Sequence, residues 1–438
     1  MMVFALAWQL ACLFASFSTL TFTHPISGQA WTDAWDVVVI GGGPAGLSAT
    51  SGLARVRRNV LMLDSGEYRN GQTRHMHDVI GNDGTVPAAF RALARQQILR
   101  YPTVQMANAT VTNITGNAST KFTIQTSDGN VFTASKVVIA TGIKDVMPST
   151  PGIAENWGKG IYWCPWCDGY EHRDQPYGII GSYADVLDSV FEVHTLESDI
   201  IAFVNGTQTA ETIAKVNSNP PAGYGDWEKK LQKYGIKIEN RTMASVTRLQ
   251  DGSVVQSADG MTEYDKFLVT FTDGSTIERG AFIANFPSVQ RSGLGASLGI
   301  PYNAKQHLKT DGQMESVVPG VFVVGDANAD NSTNVPHAMW SGKRAAVQIH
   351  NALEQERSDD LIKKRSRLSE EEVDRIMGRD LLDIYSSEHT RIIEHIIVVT
   401  FAHAILEAAV LIMSFQRMDE LEAAHNGPRV RGAGIRPV

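Results

Sequence analysis

One stretch near the amino end leaves few folds open. Residues 36–64 read DVVVIGGGPAGLSATSGLARVRRNVLMLD. The apolar run 37–40 predicts a buried strand, followed by a glycine turn, a helix, and a second strand that ends at Asp64. Gly41, Gly43 and Gly46 stand in the order G-x-G-x-x-G, with Ala45 inside the turn. The first glycine allows the tight turn, the second lets backbone approach a pyrophosphate, and the third lets helix pack on strand. The helix start offers unpaired N–H groups to phosphates. Asp64 stands where an acid hydrogen-bonds a ribose. The glycine pattern alone is a weak signal; with strand, helix, strand and terminal acid around it, it predicts a dinucleotide site in an α/β fold.

Other segments repeat this theme. VVIATG (137–142) reads as an apolar strand ending in a small-residue turn, Ala140-Thr141-Gly142. YGIIGS, from residue 177, starts another strand–helix unit. DKFLVTFTDGSTIERGAFIANF reads as strand, Asp-Gly turn and strand. From Gly320 the chain reads strand, acidic turn at Gly325-Asp326, then a helix with Pro336 in its first turn and Thr333 or Asn334 as cap. The expected architecture is two Rossmann-like, three-layer dinucleotide-binding domains, the second inserted in the first. Residues 31–156 and 285–355 form the first and 157–284 the second, followed by a helical extension over 356–438. No internal repeat is visible.

Of 438 residues, 43% are hydrophobic and 20% charged, and the formal charge is −8. No basic surplus is available to neutralise phosphates, which argues against a nucleic-acid partner. The first thirty residues carry no charged side chain, and their apolar core, roughly 3–22, has the length of a secretory signal with small residues Gly28 and Ala30 before a cleavage point. An uncleaved anchor is the alternative. Six Asn-x-Ser/Thr sites, at Asn108, Asn113, Asn117, Asn205, Asn240 and Asn331, fit the secretory pathway. Cleavage would remove Cys12 and leave two cysteines, Cys164 and Cys167, both in WCPWCDGYE. One Cys-x-x-Cys without any further cysteine is not a disulfide framework. Half a zinc site is the other reading, but no second cysteine pair or close histidine pair completes a ligand set, so no metal is expected.

These landmarks, in this order, resemble the low-molecular-weight thioredoxin reductase family over about residues 35–352. The resemblance implies FAD on the glycine turn (Gly41, Gly43, Ala45, Gly46) and Asp64, with Gln72 of the Gly71-Gln72 pair beside the flavin. Ala140, Thr141 and Gly142 would pack near the cofactor, Asp326 would bind its phosphate and ribitol region, and Asn334 and Val335 would face the flavin pyrimidine. It also implies a redox pair Cys164–Cys167 and Asp168 as the acid–base group. That chemistry needs a spacing that closes an exchangeable disulfide, and a thiol pKa lowered by a helix start. A homodimer is implied as well.

The chain departs from the family at the second turn, GIIGSYADVLDSV. Gly181 survives, but Tyr183 and Val186 replace the next two glycines, and Tyr183 is expected to block a pyrophosphate. DIIAFVNGTQTAE lacks the basic residues that grip a 2′-phosphate. A flavin and a dithiol without NADPH resemble the gliotoxin-type dithiol oxidases, whose Gly-Tyr-Glu after the pair appears here as Gly169-Tyr170-Glu171. The expected reaction is oxidation of a small-molecule or peptide thiol to a disulfide, with O2 as acceptor. An NADPH-dependent disulfide reductase and a silent binding protein are the alternatives.

His172 and His337 are candidate bases, or merely satisfied side chains. Trp163 and Trp166 flank the pair as a substrate wall or as packing. At the carboxyl end, 392–415 is long enough to span a bilayer, but Glu394, His395, His403 and Glu407 interrupt it. A helix docked on the core or a partner subunit is expected there, with a membrane anchor as the alternative.

Overall fold

In the computed structural model, residues 34–218, 225–330, 333–366 and the single residue Ala404 are described. The leader, Asn331 and the 392–415 segment apart from Ala404 lie outside them. The chain divides into two units, Met1–Leu353 and Glu354–Val438. Of the second, little beyond the end of one helix is described.

In chain order the first unit opens with β1 (Trp35–Ile40), α1 (Pro44–Arg55), β2 (Val60–Asp64), α2 (Pro87–Ile98), β3 (Val104–Asn108), β4 (Val111–Asn117), β5 (Lys121–Thr126), β6 (Val131–Ile139) and β7 (Ile143–Asp145). Then come β8 (Ile161–Tyr162), α3 (Pro165–Asp168), β9 (Tyr177–Ile180), α4 (Val186–Val193), β10 (Ile200–Phe203), α5 (Ala210–Ser218), α6 (Trp227–Lys233) and β11 (Lys237–Glu239). The rest are β12 (Met243–Gln250), β13 (Lys266–Phe271), β14 (Thr276–Arg279), β15 (Ala281–Ala284), β16 (Ser288–Gln290), α7 (Leu294–Ser297), β17 (Val321–Val323) and α8 (Val335–Ser366).

The first sheet has the order β3-β2-β1-β6-β5-β4, with β17 also on β6. β1 runs parallel to β2 (Val37↔Val60) and to β6 (Val37↔Lys136). The long strand β6 changes partner along its length: Val131 to Ala134 pair antiparallel with β5, and Val137 to Ile139 pair parallel with β17. Successive β1 side chains enter opposite cores, Val37 and Val39 on one face, Val38 and Ile40 on the other. A strand buried on both faces needs apolar residues at consecutive positions, which is why this segment does not alternate.

The second sheet, β11-β10-β9-β15-β8, is parallel throughout, and β12-β13-β14 form a separate antiparallel sheet. All these strands fall in sequence between β7 and β16, which pair antiparallel with each other. α1 and the start of α8 lie in contact: a Cβ on Gly342 would come within 2.1 Å of the Ala45 oxygen. That approach brings residues 333–336 to the carboxyl end of the first sheet.

Candidate active site

The main cleft opens at the carboxyl ends of β1, β2, β6 and β17, where strand order reverses between β1 and β6, the usual ligand crevice of such sheets. Gly41, Gly43, Ala45, Asp64, Ala140, Thr141, Gly142, Asp326, Asn334 and Val335 all line it, together with Cys167 and Asp168. Gly46 and Gln72 do not. Gly46 is buried under the turn, where a Cβ would sit 1.9 Å from the Gly41 oxygen. Gln72 is exposed, and its neighbours Asn70 and Thr73 face the cleft instead.

The glycines differ in what they permit. Gly41 has φ +113°, and a Cβ there would meet the Ala140 oxygen at 2.3 Å. A Cβ on Gly42, which the sequence reading passed over, would strike Asp64 Oδ2 at 2.1 Å. A Cβ on Gly43 would meet nothing within 4 Å. That space at the uncapped start of α1 is the place for an anion. Asp64 accepts from Gly66 N (3.1 Å), Tyr68 Oη (2.5 Å) and Arg95 Nη1 (3.0 Å). A carboxylate has about four acceptor sites, so one remains for a ribose hydroxyl.

Sequence reasoning missed Arg69. Its guanidinium binds Asp145 in a two-pronged pair (2.9 and 2.7 Å), reaches Asp326 at 3.4 Å, and lies 4.8 Å over the Trp163 ring. Burial pushes the Asp326 carboxyl up, against the pull of Arg69. Asn334 caps α8, its Oδ1 accepting from His337 N at 2.9 Å. His337 itself binds Asp330 at 2.6 Å and is not on the cleft wall.

Cys164 and Cys167 are joined as a disulfide with Cα atoms 5.2 Å apart. Both Cys167 N and Asp168 N donate to the Cys164 carbonyl, which fixes the turn. Only Cys167 of the pair reaches the cleft, so the two sulfurs have distinct surroundings. Of the flanking tryptophans, Trp163 lines the cleft and stacks on Trp157 at 5.2 Å, whereas Trp166 is 66% exposed.

Asp168 is partly exposed as a residue, into the cleft it lines, but its Oδ2 is enclosed and has no hydrogen-bond partner. Burial pushes its carboxyl up to about 8; His172 opposes the shift, and Glu171 and Glu263 add to it. At neutral pH this group carries a proton that it can donate.

Beneath it lies a buried ionic cluster. His172 Nδ1 bonds the Asp168 carbonyl (2.9 Å) and Nε2 bonds Asp265 Oδ2 (3.0 Å). Burial pushes the His172 ring down, but its Asp265 partner outweighs this and raises it. With acceptors on both nitrogens, the ring is an imidazolium, and it serves the cluster rather than the cleft. Burial pushes Asp265 up, yet hydrogen bonds from His172 and Arg74 hold it well below the carboxylate range. His172, Glu263 and Asp265 are close enough to hold a metal ion. Their carboxylates already face cations, because Arg74 pairs with both and Arg248 with Asp265.

The corresponding crevice of the second sheet lies at the ends of β9, β10 and β15. Here one expectation fails. Tyr183 does not block the crevice; its ring is buried edge-on against Trp227 at 5.3 Å, because α6 offers an apolar partner on the far side. The turn is closed by other means. Tyr183 N donates to Thr207 Oγ1 (2.9 Å) and Ala184 N to Ser182 Oγ (3.3 Å), so these N–H groups are already bonded. The wall includes Asp185, whose carboxyl burial and then Asp188 push up, and among the described residues it contains no Lys, Arg or His.

Comparison with known proteins matches this geometry. The pyridine nucleotide-disulphide oxidoreductase family matches residues 35–191. A probable thioredoxin reductase of Arthroderma benhamiae is 51% identical over 79% of this chain and 88% of its own. The thioredoxin reductase tcpT of Claviceps purpurea is 31% identical over 70% and 90%. Among solved structures, HlmI is similar with TM-score 0.66 and 26% identity over 78% of this chain and 99% of its own. A putative thioredoxin reductase TrxB from Bacillus anthracis gives TM-score 0.63 and 26% identity over 74% and 99%. The chain is an oxidoreductase that belongs to the thioredoxin-reductase-like group of the pyridine nucleotide-disulphide oxidoreductase family.

Proposed function

We propose that this protein is an FAD-dependent thiol or dithiol oxidase of the gliotoxin-type branch, forming disulfides through Cys164 and Cys167. FAD fits the first cleft: the open space at Gly43 and the free helix start suit its pyrophosphate, and the remaining acceptor site on Asp64 suits its ribose. Bound there, FAD would supply the two-electron redox chemistry that returns the cysteine pair to its disulfide, with O2 as the acceptor and hydrogen peroxide as the by-product.

The residues divide the remaining work. Substrate thiolate attacks Cys164, the sulfur away from the cleft, breaking the S–S bond and releasing Cys167 as thiolate on the cofactor side. Protonated Asp168 supplies a proton there, and as carboxylate it takes one back. Arg69 and Trp163 hold the wall beside the pair. The second domain, residues 157–284, is a degenerate nucleotide domain, and a secretory destination and a homodimer fit the same reading.

The observation that carries the reading is the second crevice: an acid, bonded N–H groups and, among the described residues, no base, which offers the phosphates of a nucleotide little to hold them. The alternative, an NADPH-dependent disulfide reductase, is favoured by the name of the relative at 51% identity. Aerobic turnover of dithiothreitol decides between them. The oxidase consumes O2 and forms one peroxide per disulfide without NADPH; absence of O2 uptake overturns the reading.

A further inference from the structure

Asp168 must exchange its proton with water, yet its Oδ2 is sealed. Behind it is a small cavity of about 10 Å³, space for roughly one water molecule. Asp168 and Glu171 both line it, and each has one enclosed oxygen without a partner, Asp168 Oδ2 and Glu171 Oε2. The other Glu171 oxygen, Oε1, is 3.5 Å from His77 Nε2. The second nitrogen of that ring, Nδ1, is 3.5 Å from Asp83 Oδ2, whose side chain is 68% exposed. The two orphaned oxygens, the water-sized space and the two-sided imidazole form a line from the redox pair to solvent.

We infer that Glu171 and His77 are a proton path between Asp168 and bulk water, bridged at its inner end by a water between the two carboxyl groups. An imidazole can take a proton at one ring nitrogen and release one from the other, which suits His77 to the middle position. Other charged groups around Glu171 are Arg74, His172 and Glu263, and His75 stands beside His77 with ring centroids 6.3 Å apart. Arg74 and His172 are committed to Asp265, and Glu263 to Arg74, so they set the local field and do not interrupt the line.

Opening the disulfide breaks one S–S bond, forms a mixed disulfide at one sulfur and leaves the other as a thiolate. The incoming thiol loses a proton and the released sulfur gains one. The path carries the first out and returns the second through Asp168. It serves the pair whichever way electrons flow, so it does not depend on O2 as acceptor.

The test follows opening of Cys164–Cys167 by dithiothreitol in the full chain, quenched with a maleimide and read as modified cysteines, a measurement that needs no flavin turnover. Glu171→Gln and His77→Ala are each expected to slow opening about tenfold at neutral pH, a part of the ~10²–10⁴-fold range of acid–base catalysis. Added imidazole restores the His77→Ala rate, and Glu171→Asp keeps most of the wild-type rate. In the unmutated chain, the rate across H2O–D2O mixtures is expected to bend, as several protons move together. A linear dependence, wild-type rates in both variants, or a slowing that neither imidazole nor Glu171→Asp relieves would overturn the inference.

Discussion

The two crevices have the same origin and opposite contents. Each lies at the carboxyl ends of a run of parallel strands, beyond a strand followed by a glycine-containing turn and a helix. In the first, Gly43 borders open space and the start of α1 has no side-chain cap. In the second, Thr207 and Ser182 bond the N–H groups of the turn, and Asp185 is on the wall. Topology provides the place for a nucleotide; free donors and the sign of nearby charge decide whether one is held.

The largest expected effect breaks the link between the first crevice and the redox pair. Cys167→Ser should lower dithiol turnover by about 10³-fold or more, as loss of a covalent participant does. The visible flavin spectrum of the purified variant should persist, since the glycine turn and Asp64 are untouched and Ser fills nearly the same space as Cys. Next is Asp168→Asn, expected to cost about 10²-fold in disulfide opening. In the wild type, the step that uses Asp168 as acid should decline above about pH 8. A rate profile for the Asn variant should lack that limb.

A paired substitution compares the two turns directly. Gly46→Ala places a Cβ 1.9 Å from the Gly41 oxygen and should cost about 1–3 kcal/mol with loss of flavin. Gly181→Ala meets nothing closer than 4.0 Å and should stay within about 0.5 kcal/mol, flavin retained. Thermal melts with absorbance at the flavin band read both.

A further effect concerns stability and its dependence on pH. A carboxyl raised to about 8 by folding gives stability that is complete below its unfolded pKa and is lost as pH rises through the folded one. The Tm of Asp168→Asn should therefore gain on wild type as pH rises from about 5 to about 9. A gap that is constant with pH would show that Asp168 is not held neutral.

The first crevice was largely legible because its determinants are local. Gly41, Gly43 and Asp64 lie within one strand–helix–strand unit, and each is needed for a reason visible in spacing. Arg69 was not legible, since its role depends on Asp145, Trp163 and Asp326, which come from three other segments. The Arg74 cluster was hidden for the same reason. Tyr183 shows a different limit. Spacing placed it at the turn, but its direction was set by Trp227, a partner that periodicity does not reveal. Gln72 was assigned by resemblance and is exposed, not among the residues lining the cleft, while Asn70 and Thr73 of its own loop are. Cys164 and Cys167 look equivalent in sequence; only the fold turns one of them to the cleft.

The contrast between the crevices is tested most directly by mixing the flavin-loaded protein with NADPH in the absence of oxygen and following flavin absorbance. The account predicts that NADPH leaves the spectrum unchanged while dithiothreitol bleaches it. Rapid bleaching by NADPH would contradict it, showing that the second crevice still delivers a hydride.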